Sequence, residues 1–213
     1  MRGKRGRAWS IGVLLLLIGL TGCSPDRGDG STSSPAETTV ASSPIPSSTA
    51  TPAATTKPDC SKGVTPATTE GPYFTPGSPR RSSLLEEGMK GTRLTLTGFV
   101  VNERCEPIAQ AKVDFWQADA DGNYDNEGFR LRGHQLTDSE GRYMLETVIP
   151  GEYSSRTSHL HMKVSPPGGE VLTTQLYFPD ARGNQSDRLF RSELLITYES
   201  TGEPRVGRFD FVL

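Results

Sequence analysis

The stretch PGEYSSRTSHLHMKV, residues 150–164, alternates polar and apolar side chains in its second half. Neighbouring side chains of an extended strand point to opposite faces, so His159 and His161 would share one face and Leu160 and Met162 the other. In a helix the two histidines would diverge by about 200°. The alternation and the Pro-Gly pair upstream therefore predict a β-strand, with an apolar row facing the core and a polar row that can chelate one metal ion.

Six other segments share the character of this strand. Each is short, rich in Val, Leu, Thr and aromatic residues, and bounded by Gly, Pro, Asp or Asn. Two further segments, residues 82–89 and 179–191, have the composition of short helices. The spacing predicts an all-β fold over residues 60–213, an antiparallel β-sandwich of about seven to nine strands with few short helices. The predicted strands cover residues 93–102, 111–118, 143–148, 159–164, 171–178, 194–199 and 207–213.

The first 22 residues have the pattern of an export signal peptide. Four basic residues precede the apolar run 11–20, which is too short to span a bilayer, and the sequence then reads LTGC at 20–23. This ending resembles a bacterial lipoprotein signal, in which Cys23 is lipidated and becomes the first residue of the mature protein. An ordinary secretory signal and a single-span anchor are the alternatives. The lipoprotein interpretation predicts an extracytoplasmic domain, anchored by lipid to the outer face of the cell membrane.

Residues 23–59 predict a disordered tether between this anchor and the domain. The segment consists mostly of Ser, Thr, Pro and Ala, and it contains no aromatic residue. Such a segment cannot bury enough apolar surface to offset the entropy lost on ordering. A flexible coil of about 35 residues has a typical reach of roughly 30–35 Å, which would hold the domain clear of the membrane surface.

The charge of the chain gives no indication of a nucleic-acid partner. Removal of residues 1–22 takes away four basic side chains, so 23 basic and 25 acidic residues become 19 and 25, a net charge of −6. Domains that bind nucleic acid usually carry an excess of positive charge, because the phosphate backbone is negative. We therefore expect no nucleic-acid binding, and contact with a membrane only through the lipid anchor.

Two cysteines remain once Cys23 is assigned to the lipid, and these are Cys60 and Cys105. An even pair in an oxidising compartment predicts a disulfide, although two free thiols are the alternative. The bridge would join the start of the domain to the turn that follows its first long strand.

Motifs along residues 70–178 resemble those of the intradiol ring-cleavage dioxygenases, the catechol and protocatechuate type. One motif alone would carry little information, but here the motifs occur together and in order. They are EGPY at 70–73, WQAD at 116–119, GNY at 122–124, PGEY at 150–153, Arg156 followed by HLH at 159–161, and TQLYF at 174–178.

The resemblance implies an oxidoreductase with a ferric iron, Fe(3+), held by Tyr124, Tyr153, His159 and His161. Fe(III) is a hard Lewis acid that lowers the phenol pKa from about 10 and binds phenolate, and imidazole is an accepted partner for iron. The implied reaction is the intradiol cleavage of a small catechol-type aromatic diol by O2, which gives a muconate-type dicarboxylic acid and belongs to the catabolism of aromatic compounds. Tyr153 is the ligand that we expect the diol to displace.

Three more roles follow from the resemblance. Arg156 would lie beside the iron and stabilise the negative charge that builds on the substrate ring during oxygen attack. Gln175 matches a polar residue of the substrate pocket. Tyr73 would line the mouth of the cavity, although it could equally be a packed core aromatic.

Two other functions remain open from the sequence. Several turns also resemble carboxypeptidase-regulatory-type β-sandwich modules, which bind no metal, so the domain could be a non-catalytic binding module. A zinc or copper enzyme could instead use His134, His159 and His161 as ligands, although His134 is otherwise expected at the surface. The first alternative leaves the tyrosine and histidine spacing to chance, and the second makes Tyr124 and Tyr153 dispensable. The dioxygenase function is favoured because it accounts for all of these residues.

Overall fold

The computed structural model of the chain describes residues 57–213, which contain nine β-strands and two 3₁₀-helical turns. The predicted signal peptide, Cys23 and nearly all of the predicted tether lie outside these residues. No helix in the described part of the chain is long and apolar enough to cross a membrane. The strands are β1 (Arg93–Val101), β2 (Lys112–Trp116), β3 (Arg132–Leu136), β4 (Arg142–Val148), β5 (His159–Ser165), β6 (Leu172–Tyr177), β7 (Thr197–Ser200), β8 (Arg205–Arg208) and β9 (Phe211–Val212).

The strands form two sheets with a main apolar core and a smaller second apolar cluster, which confirms the predicted β-sandwich. One sheet has the order β4-β1-β8-β7, with β9 also paired to β1, and the other has the order β3-β2-β5-β6. Every pairing is antiparallel except those of β1 with β8 and β9. β5 therefore lies inside its sheet, between β2 and β6.

The apolar row of β5 faces the core, as the alternation predicts. Leu160, Met162 and Val164 are at most 1% exposed, and they belong to the same buried cluster as Leu94 and Leu96 of β1. Burial of each such side chain stabilises the fold by about 1.5–3 kcal/mol. Because this row fixes which way β5 faces, it also fixes His159 and His161 on the opposite side of the sheet.

The observed strands differ from the predicted ones in three places. Strand β3 was not predicted, because RGHQL contains a single large apolar residue and its burial comes from neighbours distant in sequence. The predicted strand 207–213 is divided into β8 and β9, where the Asp210 carboxylate accepts the Phe99 N–H at 3.0 Å in place of a backbone carbonyl. The predicted strand 194–199 is shorter, because Ser192–Leu194 forms a 3₁₀ turn before β7.

The two predicted short helices are also corrected. Residues 179–191 contain only the 3₁₀ turn Arg182–Gln185. Residues 82–89 form no helix, because their backbone is paired with β4: the Leu84 N–H donates to the Glu146 carbonyl and the Glu146 N–H to the Ser82 carbonyl, each at 2.8 Å. Pairing with a strand edge has replaced the internal hydrogen bonds that a helix needs.

The predicted disulfide is present, with Cys60 and Cys105 bonded and their Cα atoms 5.9 Å apart. The bridge ties the start of the domain to the turn after β1 across 45 residues of chain. Closing a loop of this length in the unfolded chain corresponds to about 4 kcal/mol of stabilisation. We expect Cys60→Ala/Cys105→Ala to lower the free energy of unfolding by about 3–4 kcal/mol in equilibrium denaturation. Wild-type protein in reductant is the matched control, and a loss below about 1 kcal/mol in both samples would contradict the expectation.

Candidate functional site

The two histidines of β5 lie side by side and are buried. His159 is 4% exposed and His161 is 3% exposed, and their Nε2 atoms are 3.1 Å apart. The Nδ1 atom of His159 lies 2.6 Å from the Thr157 carbonyl, which can only accept, so Nδ1 carries the proton. This hydrogen bond leaves the Nε2 lone pair of His159 free to bind a metal ion.

His161 is fixed by the groups on both sides of its ring. Its imidazole stacks on the Trp116 indole, with ring centroids 4.8 Å apart, and Gly71 approaches so closely that a Cβ there would be 3.1 Å from Cε1. Its Nε2 lies 3.2 Å from the hydroxyl oxygen of Tyr124. Burial lowers the pKa of His161 well below its usual value and that of His159 to about 4. Both rings are therefore neutral near pH 7, which is the form that binds metals.

Three tyrosines form a cluster beside the histidines. The rings of Tyr73 and Tyr124 are stacked, with centroids 4.5 Å apart, and Tyr153 packs edge-on against both. The hydroxyl of Tyr153 is hydrogen-bonded to that of Tyr73. Burial raises the pKa of Tyr124 far above its ordinary value, so its phenol stays neutral unless a cation stabilises the phenolate. The structure thus brings together all four predicted ligands, and it places Tyr73 inside the cluster.

Two glycines allow the loops that carry Tyr124 and Tyr153 to meet. Gly122 has φ +84°, and a Cβ there would lie 2.2 Å from the Glu152 carbonyl oxygen. A Cβ on Gly151 would lie 2.5 Å from the Ala120 carbonyl oxygen. Because both loops need a glycine at the contact, the GNY and PGEY motifs specify the backbone approach as well as the tyrosines.

Arg132 holds two parts of the site together, although it lies in no motif of the sequence. Its guanidinium is almost completely buried and donates to the Asp125 carbonyl through Nε at 2.9 Å and to the Tyr73 carbonyl through Nη1 at 2.5 Å. It therefore links the Tyr73 segment to the loop that follows Tyr124. Its shorter hydrogen bonds are to backbone carbonyls, which leave no signal in the sequence.

Arg156 lies in a network of hydrogen bonds that fixes its guanidinium. Its Nε donates to both carboxylate oxygens of Asp187, at 2.8 and 3.0 Å, and Nη2 donates to Gln175 Oε1 at 2.5 Å and to the Tyr177 hydroxyl at 3.2 Å. Burial alone would raise the pKa of Asp187, but backbone hydrogen bonds and the Arg156 charge lower it, so the carboxylate is ionised. Asp187 was not predicted, because it follows the 3₁₀ turn in a segment without a motif.

Gln175 is completely buried beneath Arg156. Its Oε1 accepts from Arg156 and from the Tyr177 hydroxyl, and its Nε2 donates to the Thr69 carbonyl at 2.8 Å. Gln175 is also the register partner of His161 across β5 and β6. The geometry therefore gives Gln175 contact with Arg156 and with the histidine strand.

His134 lies apart from the other two histidines. It pairs with Asp114 in the register of β2 and β3, whereas His161 pairs with Trp116, and its Nδ1 is 2.8 Å from the Ser78 carbonyl. Its side chain is half-buried and partly exposed. Across residues 57–213 no three His, Cys, Asp or Glu side chains are grouped as metal ligands, and the three-histidine site is not formed.

The residues at the cluster fit a metal ion. Metal–nitrogen bonds are about 2.0–2.1 Å long, so two ligands at right angles on one ion are about 3 Å apart. The spacings of 3.1 Å between the histidine Nε2 atoms and 3.2 Å from His161 to the Tyr124 oxygen match this value. Imidazole and phenol are donors that iron accepts in proteins.

Comparisons of this chain with known proteins all find dioxygenases. A family model described as Dioxygenase matches residues 69–200. The chain is 33% identical to catechol 1,2-dioxygenase 2 of Acinetobacter lwoffii over 141 aligned residues. The aligned region covers 54% of this chain and 51% of that protein. It is therefore similar to about half the length of that curated relative.

Two solved structures are similar over most of the described residues. The dioxygenase domain of a dioxygenase carbohydrate-binding protein fusion from Streptomyces sp. SirexAA-E is 49% identical, with a TM-score of 0.68, over 70% of this chain and 97% of that one. An intradiol ring-cleavage dioxygenase from Tetranychus urticae is 26% identical, with a TM-score of 0.64, over 70% of this chain and 93% of that one.

Proposed function

The chain belongs to the intradiol ring-cleavage dioxygenase family, and from this premise we propose that it cleaves a catechol-type diol with O2 to a muconate-type dicarboxylic acid. The observation that carries this proposal is the convergence of Tyr124, His159 and His161, with three donor atoms spaced as neighbouring ligands. A non-catalytic sandwich module has no need of this cluster, because the buried imidazoles and phenol contribute polar groups where apolar packing would serve.

Members of the family use non-haem iron, and we propose that this chain holds Fe(3+) through Tyr124, Tyr153, His159 and His161. When bound, ferric iron supplies a Lewis acid that lowers the pKa of phenols and orients a chelating diol. The protein contributes neutral imidazoles on a rigid central strand. It also contributes the Tyr124 phenol, which burial keeps neutral unless a cation stabilises its phenolate.

The protein's own side chains have further roles in the proposed reaction. As the phenolate that bound iron would hold, Tyr153 is proposed to take one proton from the incoming diol and so become a neutral phenol, whose hydroxyl has a hydrogen-bond partner in Tyr73. Arg156 is proposed to stabilise the negative charge that develops on the ring, since Asp187 and Gln175 fix its guanidinium before the substrate arrives. Gln175 is proposed to act by positioning Arg156 at the edge of the substrate pocket.

We also propose that the enzyme acts outside the cytoplasm, anchored by lipid on Cys23 and carried on the tether. The basic start, the short apolar run and the LTGC sequence support this location. The Cys60–Cys105 disulfide is consistent with it, because such bonds persist in oxidising compartments. Metabolic labelling with a radioactive fatty acid tests it: wild-type protein should be labelled and Cys23→Ala should not.

A visible absorption spectrum tests the proposed function directly. The purified protein loaded with ferric iron is expected to show a red-brown tyrosinate-to-iron charge-transfer band that shifts when catechol is added under nitrogen. Admission of oxygen should then consume one O2 for each diol and yield a dicarboxylic acid. Protein loaded with zinc is the control and should stay colourless. A loaded protein that is colourless and leaves catechol intact would contradict the proposal and support the binding module.

A further inference from the structure

The two tyrosines proposed as ligands lie on loops that leave different sheets. Tyr124 lies on the loop that follows β2, and Tyr153 lies on the loop that follows β4. β2 belongs to one sheet of the sandwich and β4 belongs to the other. The two rings nevertheless meet edge-on, with centroids 5.5 Å apart. The spacing of the two phenols therefore depends on how the sheets are held together at this end of the sandwich.

The side chain of Gln117 links the starts of these two loops. Gln117 directly follows β2 in the WQAD motif, and it is 1% exposed. Its Nε2 donates at 2.9 Å to the carbonyl of Val148, the last residue of β4 in the opposite sheet. The same nitrogen donates to the Ala118 carbonyl of its own loop at 3.1 Å. One amide thus joins the points from which the two tyrosine loops begin.

The oxygen of this amide is also bonded to the opposite sheet. The hydroxyl of Thr147, a completely buried residue of β4, donates to Gln117 Oε1 at 2.7 Å. The amide therefore uses both of its N–H groups and its oxygen. Directional bonds of this kind favour a single arrangement of the groups that they join, whereas apolar contacts between sheets tolerate small shifts. Gln117 therefore restricts the position of one sheet relative to the other.

A second set of contacts carries this restriction from the amide toward the tyrosines. The Gly151 N–H donates to the Asp119 carbonyl at 2.8 Å, which joins the two loops by their backbones. The Asp119 carboxylate accepts from the N–H groups of Asp121 and Asn123, at 3.0 and 2.9 Å, and so closes the turn before Tyr124. A shift at the start of either loop is therefore transmitted along it.

We propose that Gln117 is a positioning residue, which sets the spacing between Tyr124 and Tyr153 so that both phenols can bind one metal ion. The inference rests on the proposed function, because it takes both tyrosines as ligands. Three of the proposed ligands, Tyr124 and the two histidines of β5, are carried by one sheet, and Tyr153 comes from the other. Loss of the amide should therefore displace Tyr153 from the other three.

The variant Gln117→Met tests the proposal, because it keeps the length of the side chain and removes all three hydrogen bonds. In metal-free protein with labelled tyrosine, the nuclear Overhauser effect between the rings of Tyr124 and Tyr153 should be present in the wild type and lost in the variant. In iron-loaded protein, resonance Raman spectra should show two tyrosinates in the wild type and one in the variant. We expect kcat/KM to fall by about 10²-fold, the size of effect that a small misplacement of reacting groups can have.

Gln135→Met is the matched control, because Gln135 also bonds one sheet to the other. Its Nε2 donates to the Met144 carbonyl at 2.6 Å, and its Oε1 accepts from the Met144 N–H at 3.1 Å. Gln135 pairs with Val113 near the start of β2, at the opposite end of that strand from Gln117. The control should therefore leave the Overhauser effect, both tyrosinates and kcat/KM unchanged.

The result that would overturn the inference is a folded Gln117→Met that keeps the Overhauser effect and both tyrosinates, or a control that loses them equally. If circular dichroism shows that Gln117→Met is unfolded, Thr147→Val decides by the same measurements. It removes only one of the three bonds and should lower kcat/KM by about tenfold. If the wild type binds no iron, the proposed function fails, and the Overhauser effect in metal-free protein still shows whether Gln117 sets the spacing of the two rings.

Discussion

Replacement of His161 by alanine is expected to abolish ferric-iron binding, the visible band and turnover together. His161 Nε2 lies within 3.2 Å of both His159 Nε2 and the Tyr124 hydroxyl, so its loss removes the central donor of the cluster. Loss of an outer-shell partner typically costs about 10–100-fold in metal affinity or activity, and loss of a ligand should exceed about 10³-fold. Iron content by atomic absorption and oxygen consumption with catechol measure the two effects.

Folding of the variant must be checked, because His161 also stacks on Trp116 and fills space beside Gly71. Circular dichroism of His161→Ala and of the closer replacement His161→Asn serves this purpose. His134→Ala is the matched control, since His134 is the one histidine of the chain outside the cluster and is hydrogen-bonded to the Ser78 carbonyl. We expect His134→Ala to keep its colour and turnover. If His161→Asn were folded and fully active, the ligand assignment would be wrong.

The fold could be predicted from the sequence where side chains alternate strictly. In β5 the row of Leu160, Met162 and Val164 specifies the buried face within the strand itself, so the position of His159 and His161 follows from seven residues. Strand β3 carries no such row, because its RGHQL sequence is buried by neighbours from other parts of the chain. The all-β architecture was therefore accessible, and this strand was not.

In the site, too, residues that lie in local motifs could be predicted from the sequence, and residues held by distant partners could not. Tyr124, Tyr153 and the two histidines occur in motifs, so the sequence was sufficient to propose them. Arg132 and Asp187 act through partners that are distant in the sequence, the Tyr73 carbonyl across 59 residues and Arg156 across 31 residues. Neither contact leaves a pattern in the chain, because a backbone carbonyl is available at every residue and an isolated carboxylate is usually solvated.

The second large effect is expected at Arg156. If its guanidinium stabilises charge on the substrate ring, Arg156→Ala should bind iron and still show the visible band, but kcat should fall by about 10²–10³-fold. The dissociation constant for the diol under nitrogen should change far less than kcat, because the charge develops only during the reaction. Stopped-flow spectroscopy on the loaded variant measures binding and turnover separately.

The fall in kcat of Arg156→Ala could also have a structural cause, the loss of the ion pair with Asp187, and this explanation is testable. Removal of Arg156 leaves the Asp187 carboxylate buried without its cation, which should lower the free energy of unfolding by about 3 kcal/mol. Asp187→Asn keeps the guanidinium but weakens its fixation, so it should lower kcat by about tenfold and leave the iron band unchanged. Arg156→Lys restores the charge without the fork of donors, and it should recover only part of the rate. If Arg156 acts in catalysis, kcat should be highest in the wild type, lower in the variants that keep a cation, Asp187→Asn and Arg156→Lys, and lowest in Arg156→Ala.

The double variant Arg156→Ala/Asp187→Asn tests the structural explanation, because it removes the charge and its buried partner together. If this variant were stable and fully active, Arg156 would serve only to hold the loop around residue 187.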